Sequence, residues 1–196
     1  ELLADAAILL SDLDIIAVSA GPGSFTGIRI GIGVVQGLSF ASNRPAIALS
    51  SLAVCAMAAI RETATKQLVV SQKARENEVY LAAYIRSERL GAELVGTEQV
   101  GAPEALRLAV QAETIDSSSV VAGLTNSSWS GVGDGWAYRE QLEIDLGLKI
   151  QRQLPQPKIT MEDVCALARL RFAAGEAVAP EQLRPNYIKE HMVYAK

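Results

Sequence analysis

Apolar positions along the chain first recur at helical spacing. Leu2, Leu3, Ala6, Ala7 and Leu10 follow one another at intervals of one, three or four residues, with no capping residue ahead of them. They read as the second half of a helix over Glu1–Leu10, which implies a segment upstream of Glu1. Ser11-Asp12-Leu13-Asp14 reads as a turn, and Ile15–Ser19 is an apolar run of buried-strand length. Ala20–Gly27 carries Gly21, Pro22, Gly23 and Gly27 and cannot continue a strand or a helix. Ile28–Ser42 has the length and apolar content of a helix, ended by Asn43-Arg44-Pro45. Ala46–Leu49 is a second short strand. Ser50 or Ser51 can cap a helix running from Leu52 to about Thr65. This strand–helix–strand–helix alternation favours a parallel sheet with crossover helices.

The pattern changes near Lys66. Gln67–Ser71 and Glu78–Arg86 are strand-like, and in the second Val79, Leu81, Ala83 and Ile85 alternate with Tyr80, Ala82 and Tyr84. Glu88-Arg89-Leu90-Gly91 reads as a hairpin turn into Glu93–Val100, and a position on that strand such as Glu98 reads as plain surface. Pro103 suits a helix start, predicting a helix over Pro103–Glu113. Ser117–Asn126 shows no decisive pattern. Gly131, Gly133 and Gly135 precede a helix over Trp136–Leu146, Leu148–Leu154 reads as a strand, and Thr160 caps a helix over Met161–Ala174 closed by Gly175. From Pro180 the tail is rich in Pro and polar residues and reads as irregular. The expected organisation is a first lobe over residues 1–66, incomplete at its start, and a mixed second lobe over residues 67–196.

Composition narrows the function classes. The 196 residues are 49% hydrophobic, only 20% charged and 5% aromatic, with a formal charge of −4. Disorder is excluded by the apolar content. An acidic chain with few aromatics lacks both the basic footprint and the stacking platforms of an independent nucleic-acid binder. The longest uncharged apolar segment, Pro45 to Ile60, is interrupted by Ser50 and Ser51 and is too short to span a bilayer. The opening residues read as a helix rather than as a basic, apolar leader. Cys55 and Cys165 stand far apart and form no metal or redox motif, so they read as packing thiols of a reducing compartment. These features predict a cytoplasmic protein with no membrane partner. Low charge and abundant small aliphatic residues also point to apolar surface buried against another chain.

Two features could carry function. Gly21-Pro22-Gly23-Ser24-Phe25-Thr26-Gly27 lies between a strand and a helix, where backbone N–H groups can hold a phosphate. Ile28-Arg29 follows in place of the P-loop Lys-Ser/Thr, and Thr26 occupies the third Gly position of the dinucleotide spacing. Gly21, Gly23, Ser24, Thr26 and Gly27 are therefore weak phosphate-loop candidates, and a tight structural turn explains them equally well. The second feature is the helix that follows. Gly33, Gly37 and Ala41 recur every four residues and make a stripe poor in side chains. Each interior Gly costs about 0.8–1 kcal/mol relative to Ala. Close approach of another backbone offsets such a cost. That backbone belongs either to the same domain or to another subunit, and the low charge content favours the second. On this reading Ile30, Gly33, Val34, Gly37 and Ala41 form a partner interface.

Catalytic constellations are sparse. His191, the one histidine, sits in the tail between Glu190 and Met192, where a Ser-His-Asp or Cys-His mechanism would have to recruit it. A metal site built on histidines is excluded by count. Asp12 with Asp14 and Glu162 with Asp163 read as solvated or capping carboxylates.

The run Ile16-Ala17-Val18-Ser19-Ala20-Gly21-Pro22-Gly23-Ser24-Phe25-Thr26-Gly27-Ile28-Arg29-Ile30-Gly31 closely resembles the signature of the TsaB (YeaZ) family. The resemblance continues at Gly37-Leu38, Ser50-Ser51-Leu52-Ala53, Ala74-Arg75 and Glu78-Val79-Tyr80. It reappears at Gly131-Val132-Gly133-Asp134-Gly135-Trp136 and Pro185-Asn186-Tyr187-Ile188. Lys73 departs from the family pattern, which usually has an Asp before the Ala-Arg pair.

The resemblance implies an α/β fold of the two-lobed actin-like ATPase (sugar kinase and Hsp70) type, with the opening hairpin of the first lobe lying before Glu1 and so truncated here. It also implies descent beside a catalytic paralogue, TsaD, that carries two metal-binding histidines four apart on the next helix. Ser51 and Cys55 hold the matching positions here and do not make an equivalent site. The implied role is a noncatalytic subunit of a tRNA threonylcarbamoyladenosine-modifying complex. Its expected partners are a TsaD-like paralogue, a TsaE-like ATPase and, when alone, a second copy of itself. On this reading tRNA is met only through the complex, no cofactor is bound by the chain alone, and ATP enters only in the complex. The competing readings are a glycoprotease-like peptidase, an ATP-binding enzyme in its own right, or a small-molecule binder using the interlobe cleft.

Overall fold

The computed structural model describes residues 1–106, 128–147 and 149–188. The first lobe is built from the predicted alternation. Strand β1 (Ile16–Gly21) pairs in parallel with β2 (Ala46–Ser50), with Ile16 opposite Ala46 and Ser19 opposite Leu49. Helix α2 (Phe25–Ser42) crosses between them. Ser24 caps its start by accepting the Gly27 N–H, and Asn43 ends it in the left-handed conformation at φ +52°. Ahead of β1 the chain differs from the expected helix. Only Leu2–Asp5 is helical (α1), followed by a single 3-10 turn at Leu10–Asp12. Ala7 in the left-handed region, at φ +54°, breaks the run. The apolar spacing at Leu2, Leu3, Ala6 and Ala7 lacks a surface to bury against, since Leu2, Ala6 and Ala7 are exposed.

Helix α3 (Ser51–Thr63) is the centre of the molecule. Ser50 caps it by accepting the N–H groups of Leu52 and Ala53 at 3.1 and 3.3 Å. Leu52 through Ala56 and Ala58 through Ile60 are buried. This helix packs against both sheets at once, joining Ile47 and Leu49 of the first to Leu68, Val70, Ala82, Tyr84 and Ala92 of the second. Its abundance of Ala keeps it slender enough to fit there.

The second sheet has the order β5-β4-β3-β6-β7, with β3 Gln67–Lys73, β4 Val79–Ser87, β5 Gly91–Gly101, β6 Trp129–Val132 and β7 Ile150–Gln153. β3, β4 and β5 form an antiparallel meander, while β6 and β7 join β3 in parallel. The alternation in β4 sorts as its pattern requires. Ala82 and Tyr84 face α3, and Val79, Leu81 and Ala83 face a second core with Trp129, Trp136 and Leu142. Of the helix expected at Pro103–Glu113, Pro103–Ala105 forms a 3-10 turn, and residues from 107 onward lie outside the described residues. Ser117–Asn126 and His191 lie outside them too.

β6 was not anticipated. It is four residues long and includes Ser130 and Gly131, so it offers no alternation to read. Gly131 is required there because the Trp136 indole lies against it, and a Cβ would come within 2.7 Å of that ring. Gly133, at φ +106°, leaves no space for a side chain because the Ser71 carbonyl oxygen occupies it. The helix expected from Trp136 instead opens as a 3-10 segment, Asp134–Tyr138, before α4 (Arg139–Leu146). Trp136 Nε1 donates to the Val69 carbonyl at 3.1 Å and pins that segment to β3.

Helix α5 (Met161–Ala173) begins with a capping box, Thr160 and Asp163. Buried Asp163 also accepts from Arg61 Nε at 2.6 Å, tying α5 to α3. The tail beyond it lacks regular structure but is firmly attached. Val178 exchanges two backbone hydrogen bonds of 2.9 Å with Ala46, a 3-10 turn covers Pro180–Gln182, and Leu183 is buried beside Ile32 and Val35.

Burial works against ionisation of Asp163, but the Arg61 guanidinium and the Thr160 N–H and O–H hold its carboxyl below the usual aspartate range. A lowered carboxyl stabilises the fold fully above the unfolded-state value near 4, and that contribution falls away as the pH drops through the folded-state value. Asp163→Ala is expected to lower unfolding free energy at pH 7 by about 1–3 kcal/mol through the lost cap and bridge. The gap from wild type should narrow below about pH 4, which urea denaturation at pH 7 and pH 3.5 will measure.

Candidate functional site

Three neighbouring features converge where the first lobe meets the second. The first is the Gly-rich loop. Gly21 ends β1 at φ +108°, and a Cβ there would lie 2.8 Å from Ile28 Cδ1 and 3.3 Å from the Asn186 carbonyl oxygen. This glycine is needed for close packing, and it sits buried behind the loop. Gly27 is engaged in the helix cap. Gly23, Ser24 and Thr26 face outward and, with Lys73 and Arg75, line a shallow cavity of about 500 Å³. Of the five phosphate-loop candidates, Gly23, Ser24 and Thr26 line a cavity and Gly21 serves packing, while Ser24 and Gly27 together form the helix cap. Lys73, the departure from the family pattern, stands in that cavity. Its backbone N–H donates to Asp134 Oδ1 at 2.8 Å.

The second feature is the outer face of α2. Ile32, Val35 and Ser39 point inward, and Gln36 donates to the carbonyls of Pro180 and Leu183, both at 3.2 Å. Successive residues turn by about 100°, so Ile30, Gly33, Val34, Gly37 and Ala41 fall together on the opposite side. All five are exposed, Ile30 at 62% and Val34 at 56%. A Cβ built on Gly33 or Gly37 would meet nothing within 4 Å. The stripe therefore does not serve close packing within this chain. Leu38 and Phe40 flank it, Phe40 at 82% exposure. Arg29 is the one charged residue among the eighteen of the helix.

The third feature is the cleft between the two sheets, a cavity of about 850 Å³. Glu98 of β5 stands in it. Its carboxylate accepts from Tyr84 Oη at 2.6 Å, from Asn186 Nδ2 at 2.6 Å and from Ser50 Oγ. Burial, together with the Glu98 charge, pushes the Tyr84 phenol well above its usual value, so it stays a donor. Glu98 is thus a partly buried junction of four segments, which corrects its reading as a plain surface position. Ser50, Tyr84, Glu98 and Asn186 are too far apart in sequence for spacing to link them. β5 carries two carboxylates, Glu93 and Glu98, and no local pattern singles out the second.

Ser51 and Cys55 lie one turn apart on α3, as their spacing requires. Ser51 Oγ donates to the Pro22 carbonyl and ties α3 to the Gly-rich loop. Cys55 is buried, and burial pushes its thiol up to about 11, against a lowering contact with Gln72. Among the described residues no three His, Cys, Asp or Glu side chains gather as a metal site. No helix among them is long and apolar enough to cross a membrane.

Comparison with known proteins agrees with this architecture. The family model for TsaD, tRNA N6-adenosine threonylcarbamoyltransferase, matches residues 1–192. The tRNA threonylcarbamoyladenosine biosynthesis protein TsaB of Escherichia coli is 32% identical over the whole chain, which covers 79% of that protein. Its namesake in Haemophilus influenzae is 30% identical over the whole chain and is covered to 78%. A solved structure of a Pseudomonas aeruginosa protein, described as similar to peptidase YeaZ, superposes with a TM-score of 0.77. It is 36% identical, with 96% of this chain and 79% of that one covered. A second structure, YeaZ from Pseudomonas aeruginosa, gives 0.74 at 36% identity, covering 94% of this chain and 79% of that one. The Gly-rich signature, the α/β architecture around α3 and these relatives together show that the chain belongs to the TsaB (YeaZ) family, with the actin-like ATPase fold.

Proposed function

We propose that this chain is a noncatalytic subunit in the biosynthesis of threonylcarbamoyladenosine in tRNA. It docks through the outer face of α2 on a TsaD-like catalytic paralogue. Involvement in the pathway rests on the full-length likeness to TsaB proteins of that name. The docking mode rests on one observation: a solvent-facing helix whose outer side carries Ile30, Gly33, Val34, Gly37 and Ala41 and no charge. An exposed helix in water normally turns polar side chains outward, so an uncharged face calls for a cover. Two glycines on that face allow another helix to approach closely. A paralogue with a helix of the same kind meets that need, and a second copy of this chain does so in its absence.

In this reading the complex transfers the threonylcarbamoyl group to the adenosine beside the anticodon, and the chemistry belongs to the paralogue. This acidic chain, located in the cytoplasm, meets tRNA through the complex. ATP and a TsaE-like ATPase enter only at the level of the assembly. The cavity beside Lys73 and Arg75 is the place where the Gly-rich loop would meet an anion in that assembly.

The competing enzyme readings find less support. The peptidase reading draws on the description of a solved relative. Buried Cys55, whose thiol burial pushes up to about 11, is almost wholly protonated at neutral pH and offers no thiolate to such a reaction. Ellman's reagent on the native protein at pH 8 is expected to modify exposed Cys165 rapidly and Cys55 only after denaturation. Equal, rapid reaction of both thiols would contradict a packing role for Cys55.

The docking reading and an internal role for the stripe predict opposite stability effects. Gly33→Leu and Gly37→Leu should each raise stability by up to about 1 kcal/mol, since an interior helical Gly is replaced by a good helix former in open space. The same variants should weaken association with the TsaD-like partner, or self-association, by about a hundredfold. Glu88→Ala, in the exposed turn before β5, should leave both unchanged. Thermal melts and sedimentation velocity test the two effects. Unchanged association in both glycine variants would sink the docking mode.

A further inference from the structure

The Glu98 junction and the outer face of α2 are joined by the C-terminal segment, which runs from one to the other. Leu183 is buried under α2, and Gln36 of α2 holds the Leu183 carbonyl. Three residues on, Asn186 makes two contacts in opposite directions. Its backbone N–H donates to the Ala20 carbonyl at 2.8 Å, at the end of β1, and its side-chain amide donates to Glu98 Oε2 at 2.6 Å. Tyr187 follows and reaches the start of α2. Its hydroxyl accepts from Arg29 Nε at 2.8 Å, and its ring stacks on Phe25 with centroids 6.2 Å apart. The Arg29 guanidinium lies 3.9 Å over the Phe25 ring.

Phe25, Arg29 and Tyr187 are all exposed, so their mutual contacts are weak in water and do not hold the segment alone. The hydrogen bond to Glu98 is different in kind, being short and partly screened from solvent. Both Glu98 oxygens are engaged by protein donors, Oε1 by Ser50 and Tyr84 and Oε2 by Asn186. The carboxylate thus joins three other segments through both of its oxygens.

We infer that Glu98 is a positioning residue: through Asn186 it latches residues 183–188 across the cleft, and the latched strap holds the first turns of α2 in place for docking. The inference rests on the docking reading of α2, and it makes a second-lobe carboxylate a determinant of a first-lobe interface. An unlatched strap frees Tyr187 from Arg29 and Phe25 and lets the N-terminal end of α2 fray, so the interface must be ordered at the moment of binding.

Hydrogen–deuterium exchange on the whole chain tests the latch. Asn186→Ala removes the strap's side chain but leaves Ser50 and Tyr84 on Glu98. Exchange is expected to quicken about tenfold at residues 183–188 and in the first two turns of α2, with α3 unchanged. Glu98→Gln should keep protection within about threefold of wild type, because the Asn186 amide can turn to present its oxygen to the new amide. Association with the TsaD-like partner should fall about tenfold in Asn186→Ala and little in Glu98→Gln. Unchanged exchange of the strap in a folded Asn186→Ala protein, or loosening spread evenly over the chain, would overturn the latch. If the wild type itself does not associate, the docking reading fails, and the exchange pattern still decides whether Glu98 orders the strap.

Discussion

Burial of α3 between two sheets is the constraint on which the rest of the molecule depends. One helix with Leu52 through Ala56 and Ala58 through Ile60 inside supplies the common core of both lobes. An apolar helix of this kind has no favourable exposed state, so the sheets must close on it from both sides. Its cap, Ser50, is also a donor to Glu98, and Ser51 in its first turn holds the Gly-rich loop. The cleft and the loop are thus arranged from the start of the same helix. At its other end Arg61 meets Asp163 and sets α5 against it.

α2 and α3 differ although both are largely apolar and both follow a strand of the same small sheet. α3 is covered on nearly all sides, whereas α2 is covered on one. Ile28, Ile32 and Val35 meet β1 and the tail, while Phe25, Ile30, Val34, Leu38, Phe40 and Ala41 face solvent. That asymmetry is the physical ground for proposing that α2 meets a partner. It also gives the aliphatic excess of the composition a place on the surface. The tail, polar and rich in proline, lies along the edge of this face and links it to the cleft.

The chain from β1 to α3 was almost wholly legible in the sequence. β1, α2, β2 and α3 appear within two or three residues of their expected bounds, because strand runs, Gly-Pro breaks and serine caps act locally. Strands β3, β4 and β5 and the β4–β5 hairpin were legible from their strand runs and turn residues, whereas the antiparallel pairing of β3 with β4 came from the structure. β6 was not legible, since four residues with Ser130 and Gly131 become a strand only when β3 and β7 flank them. The helix expected at the very start shrank to Leu2–Asp5 because its spacing had no surface to meet. Glu98 was misread because the donors that make it a junction, Ser50, Tyr84 and Asn186, come from three distant parts of the chain.

By itself the sequence determined the α/β class, the order of the early elements, the small-residue stripe and the family likeness. Each is written in neighbouring residues, through caps, periodicity and a sixteen-residue signature. Only the tertiary structure decided which face of α2 is covered, which loop glycines line a cavity and which serve packing, and what Glu98 holds. Those outcomes depend on the closure of two sheets around α3 and on a tail that returns across the cleft. Contacts of that range follow from how the whole chain packs, and no local spacing encodes them.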